Sequence, residues 1–528
     1  MSAANPHRRV SPSQRPSVGD AVSSTAQPPS APDLAGTAGA SQRPRVLGAW
    51  SLGMIMVAAV LTLRGFPSVA EYGWSSIAYY VLGALFLLVP MSLVAAELAT
   101  GWPKAGGLFA WVREAFGDQW GFLDIWFSWV NNLFYFPTVL AFAAATLAYV
   151  IDPSLANDKL YLVLAMLGIF WGLTFLNFFG MKLIARLNSP GVVLGTLLPA
   201  LVLVVVGVYW LASGRHSEIP FHAGKLVPNL GSLSNVVFFV AVLLSFTGME
   251  IGGFHAKDLR NPTRSYPRAT LIAVALIVGV SILGTLAIAF VVPQSQLNLV
   301  AGLMQAFSVF FHALGFGGWV TRVMAFLVGL GTLALIGAWL LGPAKGLYAT
   351  EETGDLVPQL EYVNKHHQPV AILVAQGVLS SIFALLFLSV PSVNSGYWIL
   401  TALTTQLVLM MYVLVYAAAI RLRYTQPGTP RPYKIPGGKA GIWIVAGAGL
   451  VGCVVGFVIG FVPPTGVKHW PAPFYVAAMV AGIAISSLPP FIIEKIKKPS
   501  WRLAHPDEVL VDAEPVDAAV PPPGPERS

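Results

Sequence analysis

The chain has 528 residues, of which 56% are hydrophobic and 10% charged, with a net charge of +8 and a mean hydropathy of +0.70. A soluble globular domain carries about 25% charged residues, so this composition excludes an ordinary water-soluble protein. The single cysteine, Cys453, lies within an apolar run, which excludes a disulfide inside the chain and a cysteine-based metal site.

Residues 1–44 are rich in Pro, Ser and Ala and poor in large apolar side chains, and are expected to form a disordered tail. They lack the apolar core of a signal peptide. From Leu47 to Ile493, apolar runs of roughly 18 residues or more follow one another, each long enough for a ~30 Å hydrocarbon layer at ~1.5 Å per residue. The predicted spans are 47–69, 77–99, 120–150, 160–180, 190–212, 233–254, 270–292, 318–344, 369–389, 396–420, 441–462 and 472–493. These runs are continuously apolar rather than alternating, so membrane helices are expected and a barrel is not. Residues 500–528 are acidic and contain Pro521, Pro522 and Pro523, giving a second disordered tail after a membrane domain over 45–495.

With both termini in the cytoplasm, 25 Lys and Arg fall on the inner side and 4 on the outer side, while Arg64 and Arg322 lie within spans. The positive-inside rule therefore predicts an even number of spans with both ends cytoplasmic, and the expected membrane is the plasma membrane. It also accounts for the positive charge without nucleic acid. The chain carries no phosphate loop, His-Glu-x-x-His pair or Gly-x-Ser-x-Gly elbow, and no cluster of His, Asp or Glu at ligand spacing within spans. Neither enzymatic chemistry nor a cofactor is expected.

Two spans carry helix breakers at matching positions. The first contains Thr62-Leu63-Arg64-Gly65-Phe66-Pro67, and the sixth, five helices later, Ser245-Phe246-Thr247-Gly248-Met249-Glu250-Ile251-Gly252-Gly253. Secondary transporters built from inverted repeats interrupt such helices near the bilayer midplane. Freed amides and half-helix ends suit a carboxylate, and freed carbonyls an ammonium, so a zwitterionic amino acid fits. The bland alternative is that Gly and Pro are simply common in membrane helices.

The sixth span leads into Lys257-Asp258-Leu259-Arg260-Asn261-Pro262-Thr263-Arg264-Ser265-Tyr266-Pro267-Arg268-Ala269. Ala96-Glu97-Leu98-Ala99 leads to Gly106-Gly107-Leu108-Phe109-Ala110-Trp111, Trp339 to Gly342-Pro343-Ala344-Lys345-Gly346, and Tyr433-Lys434-Ile435-Pro436-Gly437-Gly438-Lys439 follows the tenth span. On these motifs, residues 47–493 resemble the amino acid/polyamine/organocation transporter superfamily, and most of all its glutamate/GABA antiporter family. The resemblance implies an all-α membrane fold of 12 transmembrane helices: a five-plus-five inverted repeat, about 47–212 and 233–420, with accessory helices over about 441–493. It also implies alternating access and transport of amino acids or related amines.

The candidate substrate-binding residues are Leu63, Arg64, Gly65 and Phe66 at the first break and Ser245, Phe246, Thr247 and Gly248 at the second. Trp339 and Tyr412 join them as aromatic positions that, by the resemblance, line the substrate path. Arg64 either offers its planar fork to a carboxylate or snorkels to the headgroups. Glu250 is a candidate for coupling, for pairing with a base, or for holding the broken helix by accepting backbone N–H bonds. Relative to the family pattern, Arg64 and Val408 each replace a Tyr and Leu335 replaces a carboxylate, which favours a substrate with an extra carboxylate or one bound differently. Gly452, Gly456 and Gly460 form a small-residue stripe suited to a homodimer face or to packing within the monomer.

The expected activity is amino acid exchange by antiport. Proton-coupled symport is the alternative within the class, and a channel or a non-transporting receptor-like relative the alternative outside it. A small-molecule substrate and the lipid bilayer are the expected partners.

Overall fold

A computed structural model describes residues 47–103, 107–179, 190–228, 231, 236–255, 259–464, 471–498 and 501. The expectations for both tails, and for Lys104, Lys182, Arg186, Lys257, Asp258 and Lys468, lie outside the described residues. Regular structure among the described residues is helical throughout. In chain order the helices used below are α1 Ala49–Val60, α2 Phe66–Ala70, α3 Gly73–Gly101, α4 Leu108–Phe116, α5 Asp118–Ile151, α6 Lys159–Phe178, α7 Pro190–Ala212, α8 Phe239–Ser245, α9 Ile251–Phe254, α10 Pro262–Val291, α11 Gly302–Ala313, α12 Gly318–Thr353, α13 Val370–Ser389, α14 Val393–Thr425, α15 Gly438–Ile459 and α16 Ala472–Ile496.

Ten of these helices are long and apolar enough to cross a bilayer, and they coincide with ten of the predicted spans. The other two predicted spans, 47–69 and 233–254, are the interrupted ones. α1 stops at Val60, Leu61 turns extended (φ −66°, ψ 115°), and helix resumes as α2. Pro67 has no N–H to return to the carbonyl of Leu63, so the helix cannot run through; the Phe66 amide donates there instead, at 3.3 Å. In the sixth span α8 ends at Ser245 and α9 starts at Ile251. Between them Gly248 adopts φ +103°, a conformation that a side chain would strain.

The two interruptions touch. A Cβ on Gly65 would lie 2.3 Å from Ser245 Oγ, so only glycine permits this approach. α5 and α14 are the most enclosed of the long helices, with 78% of their apolar windows buried against 22% for α16. They therefore wall the interior beside the two breaks while α16 faces outward. The Gly452, Gly456 and Gly460 stripe is used inside the monomer: the backbone of Phe86, Leu243 and Gln406 fill the space where side chains would be.

The C-terminal ends of α3 and α14 and the start of α5 share one face of the molecule, marked by Arg423, Arg431 and Arg421; Arg421 sits over the Phe116 ring. This is called the basic face below. Glu97, at the end of α3, is fully engaged there. Its Oε2 accepts from Arg423 and from the Ile435 amide, and its Oε1 from Arg431 at 3.1 Å.

Candidate functional site

A cavity of about 740 Å³, mouth included, lies between the two breaks and helices α5, α12 and α14. Thr62 and Arg64 reach it from the first break, and Ser245, Thr247, Gly248 and Glu250 from the second. α5 contributes Ser128, Asn131, Asn132 and Tyr135; α12 contributes Leu335 and Trp339; α14 contributes Thr404, Val408 and Met411. Asn131 donates both side-chain N–H groups back to the carbonyls of Phe127 and Ser128, which leaves its carbonyl oxygen for a ligand, and Asn132 donates one of its two to the Ser128 carbonyl.

Arg64 is 3% exposed and points inward, which excludes snorkelling. Its Nη1 donates to Thr138 Oγ1 at 3.0 Å and to the Tyr397 hydroxyl at 3.2 Å. The guanidinium carbon lies 5.0 Å from the Tyr135 ring centre and 5.7 Å from that of Tyr397. Thr138 is one turn beyond Tyr135 on α5, away from the basic face, and Tyr397 is near the opposite end of α14, so Arg64 closes the cavity at the end away from the basic face. Nε has no hydrogen-bond partner, and among the described residues no carboxylate pairs with the charge. Two aromatic faces and two hydroxyls hold the cation in place. They do not neutralise it.

Glu250 is engaged differently. Its Oε2 accepts from the Tyr412 hydroxyl at 2.6 Å and from the Gly248 amide at 3.1 Å, and that amide also reaches Tyr412 Oη at 3.1 Å. Of the three sequence-based readings for Glu250, this geometry realises the one in which the carboxylate holds the interrupted helix. It also modifies the expectation that the second break offers its amides to a substrate. Gly248 N–H is used internally, and the Phe246 and Thr247 amides donate to Leu243 and Leu244 carbonyls. Arg64 supplies the cationic side chain on the cavity lining.

Of the residues singled out from sequence, Arg64, Ser245, Thr247, Gly248 and Trp339 border the cavity together. Gly65 does so indirectly, by letting the breaks touch. Leu63 borders a smaller recess on the far side of the first break. Phe66 packs on Gly284 and Phe246 against the Tyr80 ring, both buried and turned away from the cavity. Tyr412 is fully buried behind Glu250, as a support for the wall and not a lining group. Sequence reasoning missed the polar stripe of α5. Asp124, Ser128, Asn131, Tyr135 and Thr138 recur at spacings of four and three, which puts them on one helical face. That periodicity was the available signal.

An amino acid permease profile matches residues 47–485. An uncharacterized transporter of Legionella pneumophila is 41% identical over 451 residues, covering 85% of this chain and 97% of the relative. The glutamate/gamma-aminobutyrate antiporter of Lactococcus lactis is 31% identical over 442 residues, covering 83% of this chain and 88% of the relative. A probable agmatine/putrescine antiporter of the same species is 22% identical over 412 residues, covering 77% of this chain and 86% of the relative. Among solved structures, that of MhsT in complex with L-phenylalanine superposes with a TM-score of 0.52 at 12% identity, covering 78% of this chain and 98% of MhsT, a likeness of fold. The chain therefore belongs to the amino acid permease family, as a multi-pass membrane transporter and not an enzyme.

Proposed function

We propose that the protein exchanges amino acids across the plasma membrane by alternating access, with both termini cytoplasmic and the basic face inward. Exchange is supported by the antiporter relatives, and orientation by the distribution of Lys and Arg. The observation that carries the substrate reading is the buried Arg64 guanidinium, held at the broken first helix with no carboxylate opposite it among the described residues. A buried charge without a counter-ion is costly, and a ligand that supplies one recovers that cost as binding energy.

The substrate accordingly brings a carboxylate to Arg64, where the planar fork can take both oxygens. Its ammonium lies toward Thr247 and the side-chain carbonyls of Asn131 and Asn132. Trp339, Leu335 and Val408 cover the aliphatic part. Rocking of the helices around the two breaks opens the cavity to one face and then the other.

Counterflow in proteoliposomes tests this reading. Vesicles are preloaded separately with glutamate, γ-aminobutyrate, a neutral α-amino acid or putrescine, and labelled uptake of each is followed. Stimulation by internal carboxylate-bearing substrates, and none by the diamine putrescine, is expected. Unchanged uptake by Arg64→Ala would remove Arg64 from the site, and uptake equally fast into empty vesicles would remove exchange.

A further inference from the structure

The chain entering α10 carries three arginines that the fold leaves facing outward. Arg260, Arg264 and Arg268 are exposed, and none makes a side-chain hydrogen bond, an ion pair or a ring contact among the described residues. Arg264 and Arg268, four residues apart, share one side of α10 with Leu271, which is 70% exposed. Tyr266, Ala273 and Ile277 occupy the opposite, buried side. The apolar stripe that meets acyl chains therefore passes into guanidinium groups within about 4.5 Å of helix rise, from Leu271 to Arg268. This end of α10 lies at the basic face, since Thr263 donates to the Pro432 carbonyl at 3.0 Å and Tyr266 packs on Tyr433.

α1 runs beside α10 along this edge. The Arg260 amide donates to the Leu47 carbonyl at 3.4 Å, and a Cβ on Gly53 would lie 3.2 Å from the Ala269 carbonyl oxygen. Trp50, three residues before Gly53 and on the same side of α1, falls between those two contacts, at the level of Arg264 and Arg268, and is 63% exposed. No Asp or Glu occurs over 47–70 or 259–291, so neither element supplies a counter-charge. Like charges four residues apart on a helix repel, and an anion between them removes that cost. The positive-inside rule explains why arginines lie on this side, but not their alignment with an exposed leucine and an exposed tryptophan. A phospholipid with an anionic headgroup presents both chemistries in the same order, a phosphate for the guanidinium forks and an acyl chain for Leu271. A free phosphate would use the arginines alone.

We propose that the edge between α1 and the start of α10 binds an anionic phospholipid from the leaflet at the basic face. Arg264 and Arg268 hold the phosphate, Arg260 adds to the positive field, Trp50 packs beside the glycerol region and the first acyl carbons run along Leu271. The lipid touches the half-helix that leads into the first break and the helix that follows the second, so one headgroup bridges both. The site stands independently of the substrate reading.

The test follows thermal unfolding of the full-length protein, purified in a neutral detergent, against rising dioctanoyl phosphatidylglycerol, dioctanoyl phosphatidylcholine or inorganic phosphate. Wild type should show a saturable rise in melting temperature with phosphatidylglycerol and none with the other two. One basic side chain at an anionic lipid is worth about fivefold in affinity, so Arg264→Gln with Arg268→Gln should raise the half-saturating concentration about 25-fold. Trp50→Ala should raise it by less. Lys434→Gln with Lys439→Gln removes the same charge from exposed positions elsewhere on the basic face and should leave it unchanged. The proposal is overturned if phosphatidylglycerol has no saturable effect on wild type, or if phosphatidylcholine or phosphate stabilises it equally. It is also overturned if the double arginine variant responds as wild type does, or if the lysine pair weakens the response as much, which would mean diffuse surface charge. Should the double variant not fold, Arg268→Gln alone carries the test, and a half-saturating concentration equal to that of wild type overturns the proposal. Counterflow takes no part in this experiment, so failure here leaves the transport reading standing, and the reverse.

Discussion

Two buried ionic sites in this molecule are built on opposite plans. At the basic face, Glu97 satisfies two arginines and a backbone amide, and ties the end of α3 to the end of α14 and the segment after it. At the first break, Arg64 is equally buried and has two hydroxyls, two aromatic faces and, among the described residues, no counter-ion. A saturated charge stabilises one arrangement of the chain, whereas an unsaturated one remains available to something that comes and goes.

The contrast can be broken by experiment. The largest effect is expected at the clasp: Glu97→Ala leaves two buried guanidinium groups unpaired and should cost about 3–5 kcal/mol of folding stability. Thermal unfolding of purified protein in detergent would show it, and a melting temperature equal to that of wild type would mean the clasp is not structural. Arg64→Ala should do the reverse, with counterflow falling about hundredfold, or about 2.7 kcal/mol, while stability stays level or rises because an uncompensated charge has gone. A variant that loses both in proportion would place Arg64 with Glu97 as a structural residue.

Tyr412→Phe removes the hydroxyl shared by Glu250 and Gly248, a hydrogen bond to a charged group worth about 1.5–3 kcal/mol at most. The second break should loosen, raising KM for exchange with a smaller change in maximal rate; an unchanged KM would show that Glu250 holds the turn alone. The smallest effect is expected at Glu71, in the turn after α2, where burial pushes the carboxyl up from 4.5 to about 7. A raised acid contributes stability that is complete below pH 4.5 and lost as pH climbs through about 7. Glu71→Gln should therefore be slightly more stable than wild type above pH 7 and should flatten the melting profile between pH 4.5 and 7. Parallel profiles for the two proteins would contradict this.

Much of the fold was legible because the hydrocarbon layer imposes a length and a composition on every crossing segment. The ten continuous helices coincide with predicted spans, and the two interruptions fall at Leu61–Gly65 and Phe246–Glu250, where Pro67 and Gly248 act through the backbone and need no tertiary context. The site was legible only in part. Gly65 and Arg64 stood out because a glycine at a break and a guanidinium in a span are anomalies along the chain. Phe66, Phe246 and Tyr412 were chosen for adjacency or resemblance, yet their rings pack away from the cavity, since the direction of a side chain depends on the helices around it.

What the amino-acid order determined by itself, then, is local: which segments are apolar enough to leave water, where the backbone cannot continue as a helix, and which charges are out of place in lipid. Only the tertiary structure decided which charges are met. Glu97 and Arg431 are 334 residues apart in the chain and Arg64 and Tyr397 are 333 apart. Electrostatic neutralisation acts over a few ångströms of space, a distance that the order of residues does not record.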